Sequence, residues 1–555
     1  MKSNFTRIAG LFVLAFSIAL AGCKDHSTGP NNGGNGGNGG PPSISSFSPD
    51  AGPAGTEVTI KGENFSSTAS ENTVIFGGNN EATVNSASAS ELKVTVPDGA
   101  TTGKIKVTVG TESVESGAKF AVAPQIYADL PGNKTLITED ETWANDTTIA
   151  GPHYVLPGVT LTVKEGVTVK FKYHNQDANQ VGTIITMPGT WDNFSDGFRP
   201  SGRLVAKGTA TNPIIFTSAK GTPEVGDWGG IILAGNAVNS WPGGQGEIEG
   251  LSQGVQYGVD TSKHDFINDD DSGTLSYVQI NYTGYSIADG SELQALTPYA
   301  LGSKTQIDHI SIFKSLDDGI EPFGGTVNFK YMVVVGAQDD GFDGDAGWRG
   351  YGQFYIDVET GPSNRGMEND GCATGSYDAT CQDVGASQFH IYNATVYSMV
   401  GGQSNGEIPM SGMFLREGLS GHYGNVILAN LAGKLTTAPI YLEDDQTRNW
   451  LQSGDLTFAG NIAWTDGDYA AAFDTLGYTA QDVGLTQVDA SAQLFNDPQN
   501  YDFSLPAGSP ALQSGNYEQV SGSSFLTPTN FSGAVGPTGS SMDWTTGATW
   551  IKWHD

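Results

Sequence analysis

The chain has 555 residues, room for two to four domains. Its 60 acidic against 26 basic side chains give a net charge of −34, a field that repels phosphate backbones; it excludes nucleic acid as a partner and favours cations and neutral ligands. Charged residues are only 15% of the total and glycine numbers 76, a balance that suits many turns and few exposed helices and so an all-β chain.

At the N-terminus Lys2 and Arg7 precede an apolar stretch from Leu11 to Ala21. It is shorter than the roughly 20 residues a bilayer span needs, but it suits a secretion signal. The stretch ends in Leu20-Ala21-Gly22-Cys23. That tetrapeptide resembles the lipobox of bacterial lipoprotein signals, and the resemblance implies a signal peptide over residues 1–22 and lipidation of Cys23. A lipid-anchored protein of the bacterial outer membrane, displayed at the cell surface, is the expected product; Lys24 in place of an Asp favours that membrane by analogy. Residues 23–41, rich in Gly and Asn, have almost no apolar side chains and read as a flexible tether.

Residues 42–123 alternate short apolar strands with Pro and Gly turns, the pattern of a small β-sandwich. Ile44, Phe47, Pro49, Gly52, Gly55, Thr56, Val58, Ile60, Gly62, Phe65, Val74, Phe76, Gly77, Val94, Val96 and Pro97 carry a close resemblance to the IPT/TIG immunoglobulin-like domain. The resemblance implies a spacer.

From residue 124 to 530 strand-sized runs recur, such as G-V-T-L-T-V-K-E-G-V-T-V-K-F-K (158–172), H-I-S-I-F-K (309–314) and Y-M-V-V-V-G (331–336). Strands this short need stacked copies to bury a common core. The run 158–233 and the segment Y-D-F-S-L-P-A-G-S-P-A-L-Q-S-G (501–515) resemble right-handed parallel β-helices of the pectate-lyase-like kind. The expected fold is therefore all-β: a small immunoglobulin-like β-sandwich followed by a large right-handed parallel β-helix. In residues 531–555, Trp544, Trp550 and Trp553 are expected to cap the last coil and shield its strand edge.

One repeat is sharp. The segment from Ser311 to Glu321 aligns with that from Val333 to Asp343 at an offset of 22 residues, about one coil. Equivalent residues of successive coils lie about 4.8 Å apart. Asp317 then stacks near Asp339, Asp318 near Asp340 and Glu321 near Asp343, with Asp345 just beyond. Crowded carboxylates repel unless water screens them or a cation sits between, and calcium, which takes six to eight oxygen ligands, fits as a structural ion. A plain solvated D-D-G turn is the alternative.

Beside these acids, Trp348, Arg349, Tyr351 and Tyr355 offer aromatic faces and polar groups suited to a sugar, and the loop T-W-D-N-F-S-D-G-F-R (190–199) offers a second such set. Cys372 and Cys381 are expected to form a disulfide along an oxidising export route, since no C-x-x-C spacing argues for a metal. No catalytic residues are assigned. β-Helix polygalacturonases pair acids with a G-H-G turn and an R-I-K element; Gly421-His422-Tyr423 is a weak match to the former, and the latter is missing. The reading is a non-catalytic surface protein whose β-helix binds extracellular polysaccharide or an outer-membrane protein. A lyase or hydrolase acting on acidic polysaccharide, and a structural scaffold, stay open.

Overall fold

A computed structural model describes residues 40–122, 130, 134–191, 198–249, 255–288, 291–361, 363, 365–399, 410–431, 435–465, 469–473, 475–516 and 523–555. The expected signal peptide, Cys23 and the tether up to residue 39 lie outside the described residues.

Eight strands between Ser43 and Val122 build the first domain. All their pairings are antiparallel except that of Ala51–Gly52 with the end of Glu112–Val122. Alternate residues such as Val58 and Ile60, Val74 and Phe76, Leu92 and Val94, and Ile105 and Val107 point inward to one core.

From Thr135 onward strands stack in parallel, coil upon coil, interrupted among the described residues by two antiparallel strand pairs. The centre of the stack is the ladder Gly273–Thr283, Gln306–Ser315, Asn328–Ala337, Tyr351–Glu359 and Gln388–Ser398. Each strand bends near its middle at a residue in the left-handed region: Tyr277, His309, Tyr331, Phe354 and Asn393, with φ between 52° and 64°. The register stacks these five in a column. A left-handed non-glycine residue costs about 1–2 kcal/mol, and the column offsets it by ring stacking, with centroids 4.1 Å (Tyr277–His309), 4.5 Å (His309–Tyr331) and 5.0 Å (Tyr331–Phe354) apart.

The bend sends side chains two ways. Ile280, Ile312 and Val334 enter the large core inside the coils, while Phe313, Val335, Ile356 and Val358 face outward into a second apolar cluster. That outer cluster is sealed by the C-terminal residues, a correction to the expected cap. Trp550 packs edge-on against Tyr277 and lies 5.3 Å from His309, Trp544 packs against Tyr331, and Trp553 stacks on Tyr501. The tail lies across the flank of the coils because their outward-facing apolar side chains need covering along the whole ladder.

The expected 22-residue coil is present: Ser311 pairs with Val333, Ser315 with Ala337 and Ile320 with Phe342. Between these ladder strands and a second sheet (Leu296–Leu301, Phe323–Gly325; then Phe342–Gly344, Met367–Asp370, Met413–Arg416) runs the turn that carries the acids.

Candidate functional site

The acids form an array with two dimensions. Gly319 N donates to Asp340 O and Gly341 N donates to Arg365 O, so one column reads Asp318, Asp340, Arg365. A second reads Glu321, Asp343, Glu368, Phe414, and a third Asp345, Asp370, Arg416. Glu321, Asp343 and Asp345, and likewise Glu368 and Asp370, project to one side because strand side chains alternate. Four groups of three carboxylates each bring one oxygen apiece within 4.8 Å of one another: Asp317–Asp318–Asp339, Asp318–Glu321–Asp343, Asp340–Asp343–Glu368 and Asp345–Asp370–Glu417. These buried and half-buried clusters could hold metal ions. All seven acids named from the sequence fall in the array; Glu368, Asp370 and Glu417 are additions from the structure.

Two guanidinium groups meet the array at one end. Arg365 bridges Glu368 and lies 3.7 Å from Asp340; Arg416 reaches Glu368 at 2.9 Å and Asp370 at 2.6 Å. Both cations lie over the Phe414 ring, 4.2 and 5.3 Å from its centroid. Glycine gives the turn its room: a Cβ on Gly341 would sit 2.5 Å from the Tyr355 hydroxyl and from Asp357.

Burial governs the protonation of these groups. Burial first, then the facing Asp339, raises Asp317 to about 8. Burial and Asp370 raise Asp345 to about 7, and the same two causes lift Glu417 to about 8. Asp318, Glu321 and Asp343 are pushed well above the ordinary carboxylate range by burial, then by Asp317, Glu249 and Asp318 respectively. A row of carboxylates in this state takes up protons or cations.

The expected aromatic platform beside the acids is not at the surface. Trp348 is 0% exposed, ringed by Phe329, Phe342 and Phe389, and its Nε1 donates to Val327 O at 3.0 Å. Tyr355 is buried, its hydroxyl facing the array from inside, where burial and then Asp357, Asp340 and Asp318 raise its pKa. Ala346 and Gly347, both at positive φ, turn the chain inward just before Trp348. Arg349 is half-buried and donates from Nη2 to Gly385 O at 2.8 Å, while Tyr351 stacks on His390 at 4.9 Å. These four therefore split between core and flank and make no common sugar surface. Cys372 and Cys381 are joined in a disulfide. His422 is buried in the sheet beside Thr457, and Asp444 caps the helix Asp445–Ser453, accepting from Gln446 N and Thr447 N.

The second aromatic loop fares differently. Thr190 and Trp191 line an open cleft of about 390 Å³ together with Gln245, Gln256, Asp260 and His264. Trp191 lies flat against His264, ring centroids 4.1 Å apart and 6° from parallel, and Phe198 is tilted beside it at 4.5 Å. The cleft wall is the hairpin Gln245–Glu247/Gln256–Gly258, anchored by Tyr257, which packs on Tyr299 and accepts a hydrogen bond from Trp241 Nε1.

Fold and array together define a parallel β-helix with a buried carboxylate array, preceded by a small β-sandwich. The chain belongs to the family described as the pectate-lyase like beta helix domain, whose match covers residues 135–492; residues 42–122 match the IPT/TIG domain. No curated protein matches the chain. Among solved structures, an auxiliary nutrient binding protein from Bacteroides thetaiotaomicron VPI-5482 is 36% identical over 15% of this chain and 21% of its own, with a TM-score of 0.15. A putative phosphatase from the same strain is 32% identical over 15% and 18%, and an auxiliary nutrient binding protein from Bacteroides ovatus ATCC 8483 is 29% identical over 15% and 21%, each with a TM-score of 0.15. The chain spans about a fifth of the length of these structures.

Proposed function

We propose that the protein is a lipid-anchored protein of the bacterial outer-membrane surface whose β-helix binds extracellular polysaccharide without cutting it. The cleft beside Trp191 carries the reading. It combines an aromatic ring, on which the C–H face of a pyranose packs, with the amides of Gln245 and Gln256 and the carboxylate of Asp260, which suit sugar hydroxyls. The array of carboxylates supports a second part of the reading, a structural calcium ion, because its donors are all oxygen.

The test is retention of the full chain on immobilised polysaccharides, scored in parallel for new reducing ends and unsaturated products. Trp191→Ala is expected to weaken retention about tenfold, the worth of one good aromatic contact, while leaving the unfolding midpoint unchanged. Released products would make the protein an enzyme. Absence of retention on every polysaccharide, or retention indifferent to Trp191→Ala, would remove the cleft as a glycan site.

A further inference from the structure

Within the array, the four carboxylate groups are not equivalent. The two toward the C-terminal end already hold positive charge: Arg365 lies among Asp340 and Glu368, and Arg416 among Glu368, Asp370 and Glu417. Asp318, Glu321 and Asp343 differ. Among the described residues no Lys or Arg stands within ion-pair distance of any of these three.

Hydrogen bonding compensates Asp318 alone, and in part. Glu321 is 8% exposed, yet its Oε2 is buried with no hydrogen-bond partner, and the same holds for Asp343 Oδ1. Asp318 Oδ1 accepts a hydrogen bond from Asp340 N at 2.8 Å. The three side chains still bring one oxygen each within 4.8 Å of one another. The Tyr355 hydroxyl, on the strand behind, is another buried polar atom with no hydrogen-bond partner. Removing a carboxylate from water costs several kcal/mol, and two adjacent unsatisfied ones multiply that cost.

We propose that Asp318, Glu321 and Asp343 hold one hard divalent cation, Ca2+, between two successive coils, and that Arg365 and Arg416 take the cation's place further along the array. This inference rests on the calcium reading above and says where the ion sits. Two of the three columns support it directly: Asp318–Asp340 ends in Arg365, and Asp345–Asp370 ends in Arg416, while the middle column, Glu321–Asp343–Glu368, ends in Phe414, over whose ring both guanidinium groups lie. On the other side Asp318 and Glu321 have no such side chain, and Asp343, which belongs to both groups, meets Arg416 only from beyond ion-pair distance. Three carboxylate groups offer up to six oxygens, a set that suits Ca2+ better than Mg2+, which keeps most of its water. The buried position would make the ion a staple between coils, slow to exchange and costly to strip.

The experiment uses the full chain, stripped with EDTA and titrated with CaCl2, read by calorimetry, by metal content after gel filtration and by melting temperature. About one tightly held Ca2+ per chain is expected, with a melting temperature several degrees higher in Ca2+ than in EDTA. The double variant Glu321→Gln/Asp343→Asn should lose both the ion and the Ca2+-dependent shift. Because it also removes two buried charges, it should melt in EDTA no lower than the stripped native chain, which separates loss of the site from loss of the fold. Unchanged Ca2+ content in this variant, with loss instead in Asp317→Asn/Asp339→Asn, would overturn the placement and leave the calcium reading intact. No Ca2+ bound by the native chain would overturn both.

Discussion

Replacing Trp348 with alanine is expected to lower the free energy of unfolding by about 3–5 kcal/mol, seen as a lower urea midpoint at unchanged slope. The indole is fully enclosed, its neighbours Phe389, Phe329 and Phe342 having centroids at 5.2, 5.6 and 5.9 Å. Truncation empties a cavity that these rings, held by the parallel ladder on either side, can fill only in part. It also strips Val327 O of the hydrogen bond from Nε1. Trp348→Phe keeps most of the volume and should cost less than half as much. A change below about 1 kcal/mol for the alanine variant would mean that Trp348 is not enclosed, and the sugar-platform reading of residues 348–355 would return.

Acidification should remove about 3 kcal/mol of stability through His422, between pH 6.5 and pH 4. Burial, and then the neighbouring His390, lowers its pKa from 6.5 to about 4. The two histidines are paired across adjacent coils. The ring is 5% exposed and stacks on Tyr392 at 5.0 Å; Nδ1 lies 2.7 Å from the Thr457 hydroxyl, and Nε2 is buried with no hydrogen-bond partner. A second ring proton would therefore have no acceptor. Above pH 6.5 folded and unfolded chains both carry a neutral ring, and the contribution is whole. As the pH falls the unfolded chain takes the proton first, so stability drops until about pH 4, below which this group adds no further loss. Raised carboxyls such as Asp345 act in the opposite sense, gaining protons in the folded state, so the comparison must be with His422→Phe. That variant keeps the stacked ring, and its stability should fall about 3 kcal/mol less across the window. Parallel pH profiles for the two proteins would refute the assignment.

The coil period was readable from residues alone because two turns share the tripeptide D-D-G and nothing is inserted between them. One coil further the signal vanishes. Asp343 pairs with Glu368, 25 residues on, and Asp370 pairs with Arg416, 46 residues on, past the segment that holds the disulfide. The residue type also changes from acid to guanidinium within a column, so a search for repeated acids finds neither Arg365 nor Arg416. The direction of Trp348 was hidden for another reason. An aromatic near acids looks the same whether it faces solvent or core; here two consecutive left-handed residues, Ala346 and Gly347, decide the matter, and alanine gives no hint of that conformation. The cleft at Trp191 was visible only as an aromatic loop, since its other wall comes from a hairpin more than 50 residues later.

The way the last residues lie across the flank alters how such a stack can come apart. In a solenoid each repeat touches only its neighbours, and unravelling can start at either end and spread one repeat at a time. Here Thr549 donates to Ala210 O, Asp555 engages Tyr282 and Lys314, Thr527 and Gln353 exchange two hydrogen bonds, and Ser532 donates to Gly460 O. One strap is thus buckled to rungs 250 residues apart in sequence, and peeling the terminal rung leaves the strap fastened to those below. The molecule behaves as a tied bundle rather than a row of independent links.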